Sequence, residues 1–326
     1  MSSSVTVPKS ALPQRRAQSF ISRLKSGEEL AYLITVTAAA VIILLTALVL
    51  YELIAQSGQA RHKFGWSFLF TSTWDPVAGD YGALPFIYGT VVTSVMALLI
   101  AIPFGLGAAI FLAEMAPPKI SNAMTFLIEL LAAVPSVIYG VLGIFVLVPA
   151  LQKSVVPAIK SVAGSLPIFQ GTFYGVSVFS AGIVLSVMIV PFIISVSREV
   201  LLAVPRDQRE ASLALGASQW QTIWRVVMPN ASTGITGSIF LALARALGET
   251  MAVTMVIGNA PQIKASLLAP GNSIASMIAS SFTEATDDLF LSALVELGLV
   301  LFGVTFVLNG LARILIMTTQ QKGAHK

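Results

Sequence analysis

Two opposite charges lie four residues apart inside a stretch otherwise made of apolar and small residues. The stretch reads Gly237-Ser238-Ile239-Phe240-Leu241-Ala242-Leu243-Ala244-Arg245-Ala246-Leu247-Gly248-Glu249-Thr250-Met251-Ala252-Val253. On a continuous helix Arg245 and Glu249 share a face, one turn apart. A charge at the centre of a membrane helix costs about 2.5–3.5 kcal/mol on insertion scales, so each of these two needs a partner or water. A self-neutralising pair that merely joins helices is the plainer explanation. Two points weigh against it. Basic before acidic is the less favourable order at this spacing, and an apolar pair would join helices at lower cost. The sharper reading is a cavity that meets an anion, because a guanidinium presents a planar fork suited to tetrahedral oxyanions such as phosphate. The glutamate needs its own reason, since a carboxylate repels an anion. Hydrogen phosphate still carries a proton at neutral pH and sulfate does not. An ionised Glu249 can accept that proton's hydrogen bond, or hold Arg245 in a working rotamer. Glu129 and Glu296 also fall inside apolar runs, and structural roles are expected for both.

Other chemistry is poorly provided for. The chain has no cysteine, which excludes disulfides, thiol catalysis and thiolate metal sites. Its two histidines, His62 and His325, are far apart in sequence, so a histidine metal site within the chain is not expected. No nucleophile–base constellation stands out, and no G-x-x-x-x-G-K-[ST] phosphate loop occurs. The chain is therefore read as a non-enzyme with no cofactor of its own.

The elements that carry Arg245 and Glu249 follow from composition. Of 326 residues, 56% are hydrophobic and 10% charged, too few charges to cover a soluble protein of this size. Apolar runs long enough to cross a bilayer lie at about 30–54, 84–113, 122–150, 172–197, 235–257 and 289–317. The expectation is an all-α polytopic membrane protein with six transmembrane helices. The first run is too long for the core of a cleaved signal and is expected to stay as a helix. Lys9, Arg15, Arg16, Arg23, Lys25, Lys119, Arg198, Arg206, Arg209, Arg225, Arg313, Lys322 and Lys326 fall on one side of this topology, and Arg61, Lys63, Lys153, Lys160 and Lys264 on the other. The richer side is cytoplasmic by the positive-inside bias, which places both termini in the cytoplasm. The transmembrane domain is then 30–317, flanked by tails 1–29 and 318–326, and the polar segment up to about Ser19 is expected to be disordered. Aromatic residues of the outer loop, Trp66, Trp74 and Tyr81, are expected at the membrane interface. Pro103, Pro135, Pro149 and Pro191 lie within or at the ends of spans.

The cytoplasmic loop 198–234 is the most informative segment. Pro205 can open a short helix, Asp207 and Glu210 complement its dipole, and Gly216 is a natural stop. Ser218 then caps a second helix, with Gln221 three residues on in a capping-box pattern. Trp220, Ile223, Trp224 and Val227 form one apolar face, and Pro229 is expected to end the helix. Local pattern alone leaves two readings of that face: packing under the chain's own helices, or docking to a partner.

This loop resembles the coupling motif of permeases from binding-protein-dependent ABC importers, E-A-A, three residues, G, nine residues, I-x-L-P. Glu210-Ala211-Ser212, Gly216 and Val226-Val227-Met228-Pro229 keep the spacing, with Ser212, Val226 and Met228 as conservative departures. Further stretches are similar to the PstC family, permeases of bacterial phosphate-specific importers: Trp74-Asp75-Pro76, Gly82 to Thr90, Ile128 to Gly140 and Arg245-Ala246-Leu247-Gly248-Glu249-Thr250. The likeness covers about 30–317. It implies the type I ABC importer permease fold and a phosphate-transport role in the bacterial cytoplasmic (inner) membrane. Arg245 and Glu249 would serve translocation. Glu210, Ala211, Gly216, Trp220, Trp224 and Pro229 would carry docking to the ATPase. The implied partners are a PstA-like sister permease, two PstB-like ATPase subunits that bind ATP and Mg, a PstS-like phosphate-binding protein and the surrounding lipid, with no nucleic acid. A permease for another oxyanion (sulfate or molybdate) is the nearest alternative, and an ion-coupled secondary transporter a more distant one.

Overall fold

The computed structural model describes residues 28–323. The expected N-terminal disorder and the basic cluster ahead of the first span lie outside them. Among the described residues six helices are long and apolar enough to cross a membrane: Leu30–Gln56, Leu84–Met115, Ser136–Ala163, Val178–Leu202, Gln219–Leu247 and Asp288–Leu311.

The chain divides into two compact units, 1–52 and 53–326. The described part of the first is most of α1 (Glu28–Gln56), whose last four residues belong to the second unit. Its sequence offers no polar face, as expected of a helix surrounded by lipid. Thr35 and Thr46 donate their hydroxyls to the carbonyls of Ala31 (2.8 Å) and Ile42 (2.9 Å), which leaves neither hydroxyl unpaired in that setting.

In the second unit α2 (Gly58–Phe64) leads through a 3-10 turn, Gly65–Leu69, to a two-stranded antiparallel ladder, β1 (Trp74–Asp75) and β2 (Asp80–Tyr81), with Trp74 opposite Tyr81. Trp66 is exposed, but Trp74 and Tyr81 are not free to reach an interface. They pack with Phe86 and Phe290, the Trp74 ring centroid 4.9 Å from both Tyr81 and Phe86. Burial, then Asp287 and Asp75, raise the Tyr81 pKa, so this cluster stays uncharged.

The second span is α3 (Leu84–Ile110) extended by a π turn, Phe111–Met115. The run read as one helix at 122–150 is divided. Helix α4 (Pro118–Ala132) stops before Val134-Pro135, because the residue ahead of a proline disfavours helical backbone. The third span restarts as α5 (Ser136–Leu142) and continues through α6 (Val148–Ala150) and α7 (Val156–Ala163). Glu129 is consequently exposed on α4. Tyr139 on α5 donates to the carbonyl of Leu131 at 2.7 Å, one that Pro135, lacking an N–H, cannot serve.

The continuity of the third span has a local cause. A proline inside a helix lacks an N–H and crowds the carbonyl four residues back. Here a widened π turn precedes it: Gly143–Leu147 before Val148-Pro149, and Leu151–Val155 before Val156-Pro157. The same device recurs at Ile223–Val227 before Met228-Pro229. In each case the residue ahead of the proline donates five residues back instead of four, so Pro149 and Pro229 do not end their helices.

The fourth span, α8 (Val178–Leu202), starts later than residue 172 because Ser177 caps it, its hydroxyl accepting from the Ser180 N–H at 3.1 Å. It is the hub of the unit. Leu185, Ile189 and Ile193 are fully buried among Ala97 and Ala101 of α3 and Ala242 and Ala246 of α11 (Met228–Leu247). Small residues let these helices approach: a Cβ on Gly234 of α11 would come within 2.4 Å of Val200. The hydroxyls of Ser197 and Ser238 meet across the same contact at 2.8 Å. Helices α9 (Arg206–Ala214) and α10 (Gln219–Thr222) precede α11, and α12 (Met251–Val256), α13 (Ile274–Ser281) and α14 (Asp288–Gly323) complete the chain. On α14, Glu296 is buried beside Arg61, Nε to Oε2 3.8 Å.

Candidate functional site

The fifth span does not run unbroken through 235–257. Helix α11 ends at Leu247, Gly248-Glu249-Thr250 leaves the helix, and α12 begins at Met251. The break separates the two charges, so the expected shared helical face is not formed. Glu249 instead turns to the start of α12, where its Oε1 accepts from the Ala252 N–H at 3.1 Å. Arg245 occupies the last turn of α11. Each charge thus sits at the helix end whose dipole favours it. Non-helical backbone within a membrane domain is tolerated where protein covers it or where it lines a cavity.

Arg245 is exposed, with Leu241, Ala244 and Gly248 on the same side, while Ala242, Leu243, Ala246 and Leu247 fill the core. Among the described residues no side chain or carbonyl hydrogen-bonds or ion-pairs with its guanidinium. Tyr139 of α5 packs in the same buried cluster as Ala242 and Ala246, the core-facing neighbours of Arg245 on α11. Tyr139 was not foreseen, because it lies 106 positions upstream of Arg245. It reaches the site through the packing of α5 on α12, where a Cβ on Gly140 would meet Met255 Sδ at 2.6 Å.

At the other end of the span the two caps of the loop form as the local pattern predicts. Helix α9 closes in a Schellman motif. Gly216 takes φ 86°, the Ala217 N–H reaches the Ser212 carbonyl (3.2 Å) and the Gly216 N–H the Leu213 carbonyl (2.9 Å). Ser218 and Gln221 form the reciprocal capping box, at 3.3 and 2.9 Å. Removing the cap with Ser218→Ala is expected to cost about 1 kcal/mol. That corresponds to a roughly fivefold loss of hydrogen-exchange protection over 218–223; unchanged protection there would contradict the assignment.

Glu210, Ala211, Gly216, Trp220, Trp224 and Pro229 are all exposed. The single apolar face expected of 220, 223, 224 and 227 is divided, because the π turn shifts the register. Ile223 and Val227 are buried against Ile194 and Leu201. Trp220 and Trp224 point outward and pack edge to face, centroids 5.6 Å apart. Helix continues through Pro229, where Asn230 Nδ2 serves the Val226 carbonyl at 2.8 Å. The result is one apolar rod, Gln219–Leu247, with Trp220 near its start and Arg245 near its end, about 38 Å apart at 1.5 Å per residue.

Comparison with known proteins places this architecture. A family model described as binding-protein-dependent transport system inner membrane component matches residues 101–317. The chain belongs to that family. It is 44% identical over 313 residues to the phosphate transport system permease protein PstC of Mesorhizobium japonicum, covering 94% of this chain and 96% of that protein. It is 45% identical over 289 residues to the protein of the same name from Pasteurella multocida, covering 87% and 90%. A solved chain of a bacterial alginate ABC transporter, in complex with an alginate pentasaccharide-bound periplasmic protein, aligns with a TM-score of 0.58 at 14% identity, covering 91% of this chain and 98% of that one. As a member of this family the chain is a multi-pass transport-system component with the type I ABC importer permease fold.

Proposed function

We propose that this permease moves inorganic phosphate across the bacterial cytoplasmic membrane as one subunit of an ATP-driven importer. The observation that carries the reading is the near full-length similarity to phosphate transport permeases; the unpaired guanidinium at the helix break supports it. The partners are a PstA-like sister permease, two PstB-like ATPase subunits that bind ATP and Mg, and a PstS-like phosphate-binding protein outside. Both termini face the cytoplasm, where Glu210, Ala211, Gly216, Trp220, Trp224 and Pro229 meet the ATPase. Closure of the ATPase dimer moves the loop, and the rod 219–247 carries that motion toward Arg245. The pathway then opens outward and inward in alternation. Arg245 lowers the barrier for an oxyanion by offering charge and fork-shaped donors. One arginine makes a shallow well, which permits release.

Glu249 Oε2 remains to accept the proton of hydrogen phosphate, while Oε1 holds α12. Glu249→Gln keeps that cap, because an amide oxygen still accepts, but loses the charge. Phosphate uptake is expected to fall severalfold with the complex still assembled; undiminished uptake would remove the acceptor role. The test of the reading itself is ATP-driven phosphate uptake by the reconstituted complex, with sulfate and molybdate as competitors. Weak competition is expected, and preferred uptake of either competitor would favour the alternative oxyanion.

A further inference from the structure

Helix α9 carries the coupling motif but buries none of its residues. A surface helix without a buried face is held by whatever polar ties it makes, and a loosely held helix swings when pushed. The principal tie is Arg209. Its Nε and Nη2 donate to Glu114 Oε2 and Oε1 at 3.2 and 2.7 Å, a bidentate pair. Its Nη2 also donates to the Leu201 carbonyl at 2.7 Å, and its Nη1 to the Val204 carbonyl. Both side chains are largely shielded from solvent, 17% exposed for Arg209 and 9% for Glu114.

The acceptors belong to different elements. Glu114 lies in the π turn that ends the second span. The carbonyls of Leu201 and Val204 lie in the last turn of the fourth and just beyond it, and that of Leu201 also accepts from the Val204 N–H at 3.3 Å. Gln219 Nε2, at the start of the rod 219–247, donates to the Glu114 backbone carbonyl at 2.7 Å. Three spans therefore converge on one shielded ion pair beneath the docking face. Only a guanidinium has the donors for this arrangement, since a lysine ammonium is a point charge with three. With its donors satisfied on both sides, the pair avoids the penalty of an incompletely bonded buried charge.

We propose that Arg209 and Glu114 form a positioning pair that turns α9 from a tethered helix into a lever, so that motion of the ATPase reaches the second, fourth and fifth spans together. This rests on the reading of the chain as an ATP-driven permease. The pair touches neither the cargo nor ATP, and its effect lies in how much transport each hydrolysis event produces.

The test uses the complete importer in proteoliposomes, with Arg209→Lys and Glu114→Gln beside wild type. Co-purified ATPase subunit, ATP hydrolysis and anion uptake are measured on each preparation. The expected result is ATPase retention and continued hydrolysis in both variants. Anion moved per ATP should fall about five- to tenfold in Arg209→Lys and less in Glu114→Gln, whose amide oxygen still accepts. A wild-type ratio in both variants would overturn the proposal. So would uptake lost only in proportion to assembled complex, or failure of both variants to assemble, since either assigns the pair to folding. The ratio is read for whichever oxyanion the wild-type complex carries, so a failure of the phosphate reading leaves this test standing.

Discussion

Arg245→Ala in the assembled importer is expected to lower ATP-driven phosphate uptake roughly ten- to hundredfold while the complex still forms. Hydrogen bonds to a charged group are worth about 1.5–3 kcal/mol, and each 1.4 kcal/mol removed from a transition state is about tenfold in rate. Assembly should survive because no described residue relies on Arg245 for a hydrogen bond or ion pair, and its neighbours Ala242, Ala246 and Leu247 hold α11 in the core. Arg245→Lys keeps the charge without the fork and should fall between alanine and wild type. Radiolabelled phosphate uptake, normalised to co-purified subunits, reads all three. Uptake by Arg245→Ala above half of wild type would remove the guanidinium from the pathway.

The second large effect is expected at the other end of the rod. Trp220 and Trp224 expose 57% and 47% of their surfaces and lean on each other beside the motif residues. Tryptophans in such positions are frequent anchors of interfaces, costing about 2–4 kcal/mol when truncated. The double variant Trp220→Ala, Trp224→Ala should therefore bind the ATPase subunit roughly thirty- to thousandfold more weakly. Ile223 and Val227, buried beneath, keep the fold of the loop, so thermal unfolding of the permease should change little. Titration of purified ATPase subunit onto permease in nanodiscs measures the loss. Affinity within threefold of wild type would assign the two rings to the membrane interface instead.

What was legible in the sequence was local or periodic. Six apolar runs announce six helices because bilayer thickness sets their length. Gly216 and the Ser218–Gln221 box were readable because their hydrogen bonds close within five residues. Three features around the loop and the charges were not. The stop expected at Pro229 assumes an ordinary α turn ahead of it, whereas the π turn at 223–227 moves the preceding donor to a different carbonyl. The break at 248–250 depends on Glu249 finding the Ala252 N–H, a competition between capping and helix continuation that residue spacing does not reveal. The Arg209–Glu114 pair joins residues 95 positions apart, and nothing in either neighbourhood marks the other. Of the candidate residues, those of the loop at 210–229 lie on its exposed surface, while Arg245 and Glu249 are divided between helices.

Both the break and the rod bear on the same idea, that Arg245 stands on a route opened alternately to either side by work done at the loop. The absence of cysteine from the chain makes this directly measurable. Arg245→Cys introduces the chain's only thiol, which a charged, membrane-impermeant thiol reagent modifies only where water reaches it. In the complete importer the account predicts modification from the outer side when the ATPase is trapped in its ATP-bound state, and from the cytoplasmic side without nucleotide. A thiol that resists the reagent from both sides in every nucleotide state would contradict it.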